Sequence, residues 1–380
     1  MPEDFLVTSP DAQPPTDPDR LTRAAALAAD AGFDALLVSP GPDLRYLTGY
    51  DARPLERLTC LLLRAEGDPV LVVPALEQPA AAASPAGSLG LEIVSWTETE
   101  NPYAAVASLL PAARRVAVDN HMWAEKVLRL RAAMPDCEQA LAGEVLRELR
   151  MRKSPGELGA LRDAGAAIDR VHAQVPRWLR AGRTEREVGA DIAAAIVAEG
   201  HARVDFVIVG SGSNGASPHH ELSDRVIEVG DPVVVDIGGT TSAGYCSDST
   251  RMYVVGEPPE DFAIYYELLV RAQAAAVDHV RPGVTCASVD AVARNVIAAG
   301  GHGDHFIHRT GHGIGLETHE DPYIVVGNEL PLEPGMVFSV EPGIYLPGRH
   351  GARIEDIVAC APDGVEPLNR TTHELVVIGG

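Results

Sequence analysis

Four carboxylates stand in apolar surroundings: Asp236 in VVVDIGG, Asp248 in CSDSTRMYVV, Glu341 in VFSVEPGIY and Glu355 in ARIEDIVAC. An ionised carboxylate withdrawn from water is costly unless a cation or strong donors compensate it. Taken singly, the aspartates read as caps or turn residues. Glu355 reads singly as the ion-pair partner of Arg353, which strand alternation puts on the same face. Those readings do not explain why all four acids share one setting. Brought together they form a strongly anionic centre, which two divalent ions would neutralise formally. Oxygen ligands suit Mn²⁺, and one added imidazole keeps Co²⁺ or Zn²⁺ compatible. HRTGHGIGLETHE offers His308, His312 and His319 among Gly311, Gly313 and Gly315, a stretch too rich in glycine for a good helix. His219, in SPHHELSD, adds an imidazole upstream of Asp236. Beside a metal centre, such histidines serve proton transfer or charge stabilisation.

These residues need elements to carry them. GGTTSAG is a plausible hairpin connection, across which Asp236 and Asp248 would face each other on neighbouring strands. KSPGE marks a helix start, with Ser154 as N-cap, Pro155 at the first helical position and Glu157 completing a capping box. Farther on, GRTEREVGADIAAAIVAEG (182–200) aligns without gaps to GVTCASVDAVARNVIAAGG (283–301), with seven identities in nineteen positions at a constant offset of 101. Each copy starts a helix from a threonine cap and follows a longer helix, predicted over 155–180 and 261–281. The pattern reads as a duplicated helix-helix-sheet unit whose halves bury each other. Before residue 150, a helix over 21–31 and the apolar runs DALLVSP, LTCLLLRA, PVLVVP, LEIVSW and RVAVDN read as a small α/β domain. The expected organisation is therefore a domain over 1–150 and a second, pseudo-symmetric one over 151–380, both of α/β class.

Bulk properties narrow the partners. The 380 residues suffice for two cores. A formal charge of −23 opposes binding to nucleic acid, and no apolar run is long enough to span a bilayer. Five cysteines without CxxC spacing read as reduced thiols, and the first twenty residues, rich in proline and acids, lack an export signal. Both point to the cytoplasm.

Taken together, the motifs resemble the pita-bread metallopeptidases in their proline-peptidase branch, which holds Xaa-Pro dipeptidase (prolidase) and aminopeptidase P. GPDLRYLTGY (41–50) is similar to the creatinase-type N-terminal domain of that branch, and the chain from about 155 onward resembles its catalytic domain. By position, the resemblance makes Asp236, Asp248, His312, Glu341 and Glu355 ligands of two divalent ions, with Asp248 and Glu355 bridging. It makes His219 and His319 the histidines that contact the substrate or the tetrahedral intermediate. His308, Tyr345 and Arg353 fall on substrate-side positions, and Glu341 on that of the proton shuttle to the leaving imide nitrogen. The implied substrate is a small peptide with proline second, and the implied assembly is a homodimer. Xaa-Pro dipeptides are favoured because the chain is compact and the 341–355 interval short; the alternatives are aminopeptidase P and a non-catalytic binding homologue. A dipeptidase needs a cation for the proline carboxylate, for which Arg353, Arg45, Arg53 and Arg57 are candidates. One departure stands out: the Asp236–Asp248 interval is a residue longer than is usual in this branch. Either a longer turn absorbs it or a bulge re-aims one carboxylate.

Overall fold

A computed structural model describes residues 19–379, so the reading of the extreme N-terminus falls, up to residue 18, outside the described residues. The chain divides after Arg150 into two compact units. The first runs α1 (Asp19–Asp30), β1 (Ala35–Val38), α2 (Pro42–Thr48), β2 (Cys60–Arg64), β3 (Val70–Pro74), α3 (Gln78–Ala83), β4 (Glu92–Trp96), α4 (Pro102–Leu109), β5 (Arg115–Val118), α5 (Ala124–Ala133), β6 (Glu138–Leu141) and α6 (Gly143–Arg150). Its sheet has the order β4-β3-β2-β1-β5-β6. The central strands are the aliphatic runs, buried except at Arg64, where β2 ends, because helices cover them. β6, with sequence EQAL at the sheet's edge, has no apolar pattern and goes unseen in the sequence.

The second unit runs α7 (Pro155–His172), α8 (Glu185–Ala198), β7 (His201–Ser211), β8 (Pro232–Thr241), β9 (Cys246–Val255), α9 (Glu260–His279) and α10 (Cys286–Ala299). It continues with β10 (Gly311–Gly313), β11 (Glu320–Ile324), β12 (Val337–Val340), β13 (Gly343–Leu346), β14 (His350–Arg353), β15 (Asp356–Ala361), β16 (Gly364–Pro367) and β17 (Val376–Ile378). Its sheets are β17-β9-β8-β7, β11-β10-β12-β15-β16 and the hairpin β13-β14. The fold is thus mixed α/β, the class expected. α7 ends at His172 and not near residue 180, because the ring of Pro176 would clash with the carbonyl four residues back. The Ser154 capping box forms as the motif requires.

The duplication is visible in the hydrogen bonds. Gly182 N–H donates to Ile227 O and Ile227 N–H to Arg183 O; in the second copy Gly283 N–H donates to Leu332 O and Leu332 N–H to Val284 O. Gly182 and Gly283 have φ of 87° and 89°, a conformation that favours glycine, and the threonine two residues on caps α8 or α10. Among the described residues no helix is long and apolar enough to cross a membrane.

At the end of α7, His172 is fully buried, with Nε2 at 3.1 Å from the Ser249 carbonyl and Nδ1 at 3.1 Å from Tyr253 Oη. Burial, helped by the charge of Arg251, pushes its imidazole down to about 3. The folded state keeps it neutral while the unfolded chain takes a proton near 6.5, so its stabilisation is complete above 6.5 and falls as pH drops toward 3. Between pH 7.5 and pH 5 the stability gap between wild type and His172→Gln, measured by denaturant titration, should shrink by about 2 kcal/mol. A constant gap would show that His172 titrates normally in the fold.

Candidate active site

β8 and β9 supply the floor of the site. Asp236 stands opposite Thr250 and Asp248 opposite Gly238, so the two carboxylates share a face two positions apart and do not confront each other directly. The ladder runs without a break from Pro232↔Val254 to Thr240↔Cys246. The additional residue between the aspartates therefore sits in the turn, closed by Thr241 N–H to Tyr245 O (3.0 Å) and Gly244 N–H to Thr241 O (2.8 Å). A turn, not a bulge, takes up the longer interval.

The second sheet brings the remaining groups. His312 lies on β10, which is squeezed between β11 and β12: a Cβ on Gly311 would lie 1.8 Å from Ser339 O, and one on Gly313 2.2 Å from Asp321 O. Only glycine lets the backbone pass so close, which explains the residues flanking the imidazole. Glu341 follows β12, and its N–H donates to Thr310 O (2.8 Å). Glu355 precedes β15; its N–H donates to Thr250 O (3.2 Å) and its Oε2 accepts from Thr250 Oγ1 (2.7 Å).

Ligand atoms from Asp236, Asp248 and Glu355 lie within 4.8 Å of one another, as do those from His312, Glu341 and Glu355. Burial raises Asp248 well above the usual carboxylate range, reinforced by Glu355, Asp236 and Glu341. Burial likewise raises Glu355 well above that range, reinforced by Glu341 and Asp236. Burial also raises Asp236, though the Arg353 guanidinium beside it pulls the other way. Burial opposes ionisation of Glu341 too, but its hydrogen bond to His312 and the charges of His312, His308 and Arg353 outweigh that and hold it at about 2.

Divalent ions fit this donor set. Asp236 Oδ1 is buried without a hydrogen-bond partner. His312 Nδ1 is 3.1 Å from the Gly313 carbonyl; in the neutral ring that donates there the Nε2 lone pair faces Glu341 Oε1 (3.3 Å) and Asp248 Oδ2 (3.7 Å), whereas a protonated ring donates to Glu341. Acceptors facing acceptors need a proton or a cation between them. In the N-terminal unit Asp43, Asp119 and His121 also approach one another. There the carboxylates are already satisfied, Asp119 by Ser39 and the His121 N–H, Asp43 by Arg150.

The groups expected on the substrate side divide into two sets. His319 and His219 are exposed, and the His319 ring centroid is 4.0 Å from that of His312. Partial withdrawal of its ring from water, helped by the charge of His312, pushes His319 down to about 4. His308, Tyr345 and Arg353 instead form a relay of hydrogen bonds. Arg353 Nη1 donates to Tyr345 Oη (2.8 Å), Tyr345 Oη donates to His308 Nε2 (2.9 Å), and His308 Nδ1 donates to the Arg309 carbonyl (2.7 Å). Arg353 Nη2 donates to Asp236 Oδ2 and its Nε to Thr250 Oγ1 (3.1 Å). Each nitrogen of this guanidinium makes one hydrogen bond and the residue is 3% exposed, so it braces Asp236 and makes no ion pair with Glu355. Within the N-terminal unit, Arg45 pairs with Asp51, and Arg57 with Glu56 and Glu98.

Three supporting residues escaped the reading of the sequence. Thr250 joins Glu355 to Arg353. Ser339 Oγ accepts from His312 N–H (3.0 Å) and donates to Glu341 Oε1 (3.1 Å). Glu185, wholly buried, accepts from Ser211, Asn214 and Ser223 and pairs with His220 Nε2 (2.7 Å), fastening the segment that carries His219. Hydroxyls inside apolar strands, as in SDSTR and VFSVE, were the available signal.

Comparison with known proteins agrees with this geometry. Residues 159–362 match metallopeptidase family M24, and residues 20–152 match the Creatinase/Prolidase N-terminal domain. The crystal structure of dipeptidase PepE from Mycobacterium ulcerans superimposes with a TM-score of 0.91 at 55% identity, covering 95% of this chain and 97% of that one. Prolidase from Thermococcus sibiricus does so with a TM-score of 0.89 at 37% identity, covering 96% and 100%. The Xaa-Pro dipeptidase of Lactobacillus delbrueckii subsp. lactis is 36% identical over 91% of this chain and 95% of its own.

Loading metal-free protein with Mn²⁺ at about 100 times its dissociation constant should stabilise it by about 2.7 kcal/mol, seen as a rise in melting temperature. Glu355→Gln, which removes the acid common to both donor groups, should lose most of that rise. Equal metal-dependent shifts in the two proteins would show that the ions bind elsewhere.

Proposed function

Because the chain belongs to metallopeptidase family M24 and carries its Creatinase/Prolidase N-terminal domain, we propose that it hydrolyses the bond before proline in Xaa-Pro dipeptides. The observation that carries this reading is the meeting of Asp236, Asp248, His312 and Glu355, all buried, with the half-buried Glu341 at one centre. The substrate class is supported by relatives named for it, the Lactobacillus Xaa-Pro dipeptidase and the Thermococcus prolidase. Two Mn²⁺ ions, with Co²⁺ or Zn²⁺ as substitutes, would be held by these five residues. Glu355 belongs to both donor groups and would therefore serve both ions, and Asp248 would be the other shared ligand that the resemblance implies. Divalent ions bound there supply Lewis-acid polarisation of the scissile carbonyl and lower the pKa of the attacking water.

The chain's own groups do the rest. Glu341, held ionised, takes a proton from the attacking water and returns it to the departing proline nitrogen, which has no hydrogen of its own. His219 and His319, both exposed to an incoming peptide, face the developing oxyanion and the substrate backbone. The relay of Arg353, Tyr345 and His308 keeps Asp236 and the pocket wall rigid. Five buried, unpaired cysteines support work in a reducing cytoplasm. A homodimer is the assembly carried over from the resemblance, and light scattering tests it.

Metal-loaded protein should release proline from Leu-Pro far faster than it cleaves Leu-Pro-Gly. Comparable rates would instead make it an aminopeptidase P. Glu341→Ala should lower kcat by at least about 10³-fold, and His219→Ala by about 10²-fold, with melting temperatures of the metal-free proteins little changed. Substantial turnover by Glu341→Ala would remove it from the proton path.

A further inference from the structure

Lys153 and Glu320 form an ion pair almost wholly withdrawn from water, their side chains 1% and 7% exposed. Taking two charges out of water can cost as much as their attraction returns, so such a pair is a poor source of stability; fixing one geometry is its better use. Both ends are anchored. Lys153 N–H donates to Gly335 O (2.8 Å), Arg152 beside it bridges to Met336 and pairs with Glu333 (2.7 Å), and Ser154 after it caps α7. Glu320 opens β11 opposite Gly313, and its carboxylate lies so close to Gly315 that a Cβ there would meet Oε1 at 2.5 Å. The pair therefore lies against the loop over 314–319, which joins the strand of His312 to β11. At the loop's near end Ile314 N–H donates to Val337 O (3.2 Å) and Cys246 N–H to Gly315 O (2.8 Å). At its far end His319 is exposed beside the His312 ring, while the next residue, Glu320, is buried against Lys153. The β10-β11 register shifts between Gly311 and Gly313, so backbone pairing by itself is a loose guide for His319. The ion pair supplies the missing hold.

We propose that Lys153 and Glu320 are positioning residues of the peptidase: their buried ion pair keeps His319 in place beside the metal centre, acting through the 314–319 loop and not on the substrate. This rests on the peptidase reading above. A displacement of a reacting group by about 1 Å costs about 10²-fold in rate. The metal ligands have separate braces in Thr250, Ser339 and Arg353. Loss of the pair is therefore felt in turnover and not in metal binding.

The experiment is a mutant cycle on Mn²⁺-loaded protein with Leu-Pro as substrate. One arm is the double variant Lys153→Met/Glu320→Met, which replaces both charges with apolar chains and leaves neither charge orphaned; the other is Glu320→Gln, which keeps the outline of the carboxylate. Each should lower kcat by about 10- to 100-fold while retaining the Mn²⁺-dependent rise in melting temperature. Added to His319→Ala, the same changes should lower kcat by less than about 2-fold, since the group they position is already gone. The proposal is overturned if wild type releases proline and both variants match it, if they lose as much rate in the His319→Ala background as in wild type, or if the Mn²⁺-dependent rise disappears with them. It is also overturned if neither variant folds, for the pair is then a folding element. A wild type that releases no proline from Leu-Pro would instead overturn the peptidase reading, and this inference with it.

Discussion

Four carboxylates within a few ångströms in a nearly dry interior repel one another, and most of the catalytic unit is arranged around that cost. Burial and mutual charge raise Asp236, Asp248 and Glu355 together, while Glu341 alone is held ionised by His312, His308 and Arg353. A solvated cluster would relax by turning side chains outward. Here each acid is on or beside a strand whose register is set by its neighbours, so the repulsion cannot be relieved by motion. What relieves it is positive charge: one guanidinium built in, and divalent ions for which the donor atoms are already gathered.

Rigidity comes from donors that are used up locally. Thr250 joins the β8-β9 sheet to Glu355, and Arg251, buried beside it, donates to the Glu355 carbonyl (2.6 Å) and to Asp356 Oδ1 (2.6 Å). Ser339 ties His312 to Glu341. Each bond is modest by itself, but in a buried network an unmade partner is expensive, so the set holds one geometry. The same logic separates the two kinds of arginine near the centre. Arg353 is buried and bonded to Asp236, Thr250 and Tyr345, whereas Arg309 is half-buried over the ring of Tyr323.

The duplicated architecture explains how such a cluster can be assembled. Each half offers a capped helix after a glycine of positive φ and a sheet leaning on it, with matching backbone hydrogen bonds at Gly182 and Gly283. Each half also spends one wholly buried acid on fastening a histidine-bearing segment: Glu185 for the 211–223 stretch and Asp290 for 308–310. One sheet brings two aspartates and the other a histidine and two glutamates, so neither half alone completes the centre.

Much of this was legible in the residues themselves. Aliphatic runs, the Ser154 and Thr184 capping boxes and the repeat are local features, and local features survive in a one-dimensional pattern. The acids at 236, 248, 341 and 355 stood out because an ionisable group in an apolar strand is conspicuous wherever the strand ends up. What could not be read was decided by pairing across distance. The register placed Asp248 opposite Gly238 and not opposite Asp236, the longer interval went into a turn, and α7 stopped ahead of Pro176. The partners of Arg353 are Asp236, Thr250 and Tyr345, residues up to 117 positions away, and no neighbour in sequence announces them. Residue types and spacing therefore determined which groups could do chemistry and the family to which the chain belongs. Only the tertiary structure decided which of them are braces and which are free to meet a substrate, because a hydrogen-bond donor is free or spent according to what the fold brings within 3 Å of it.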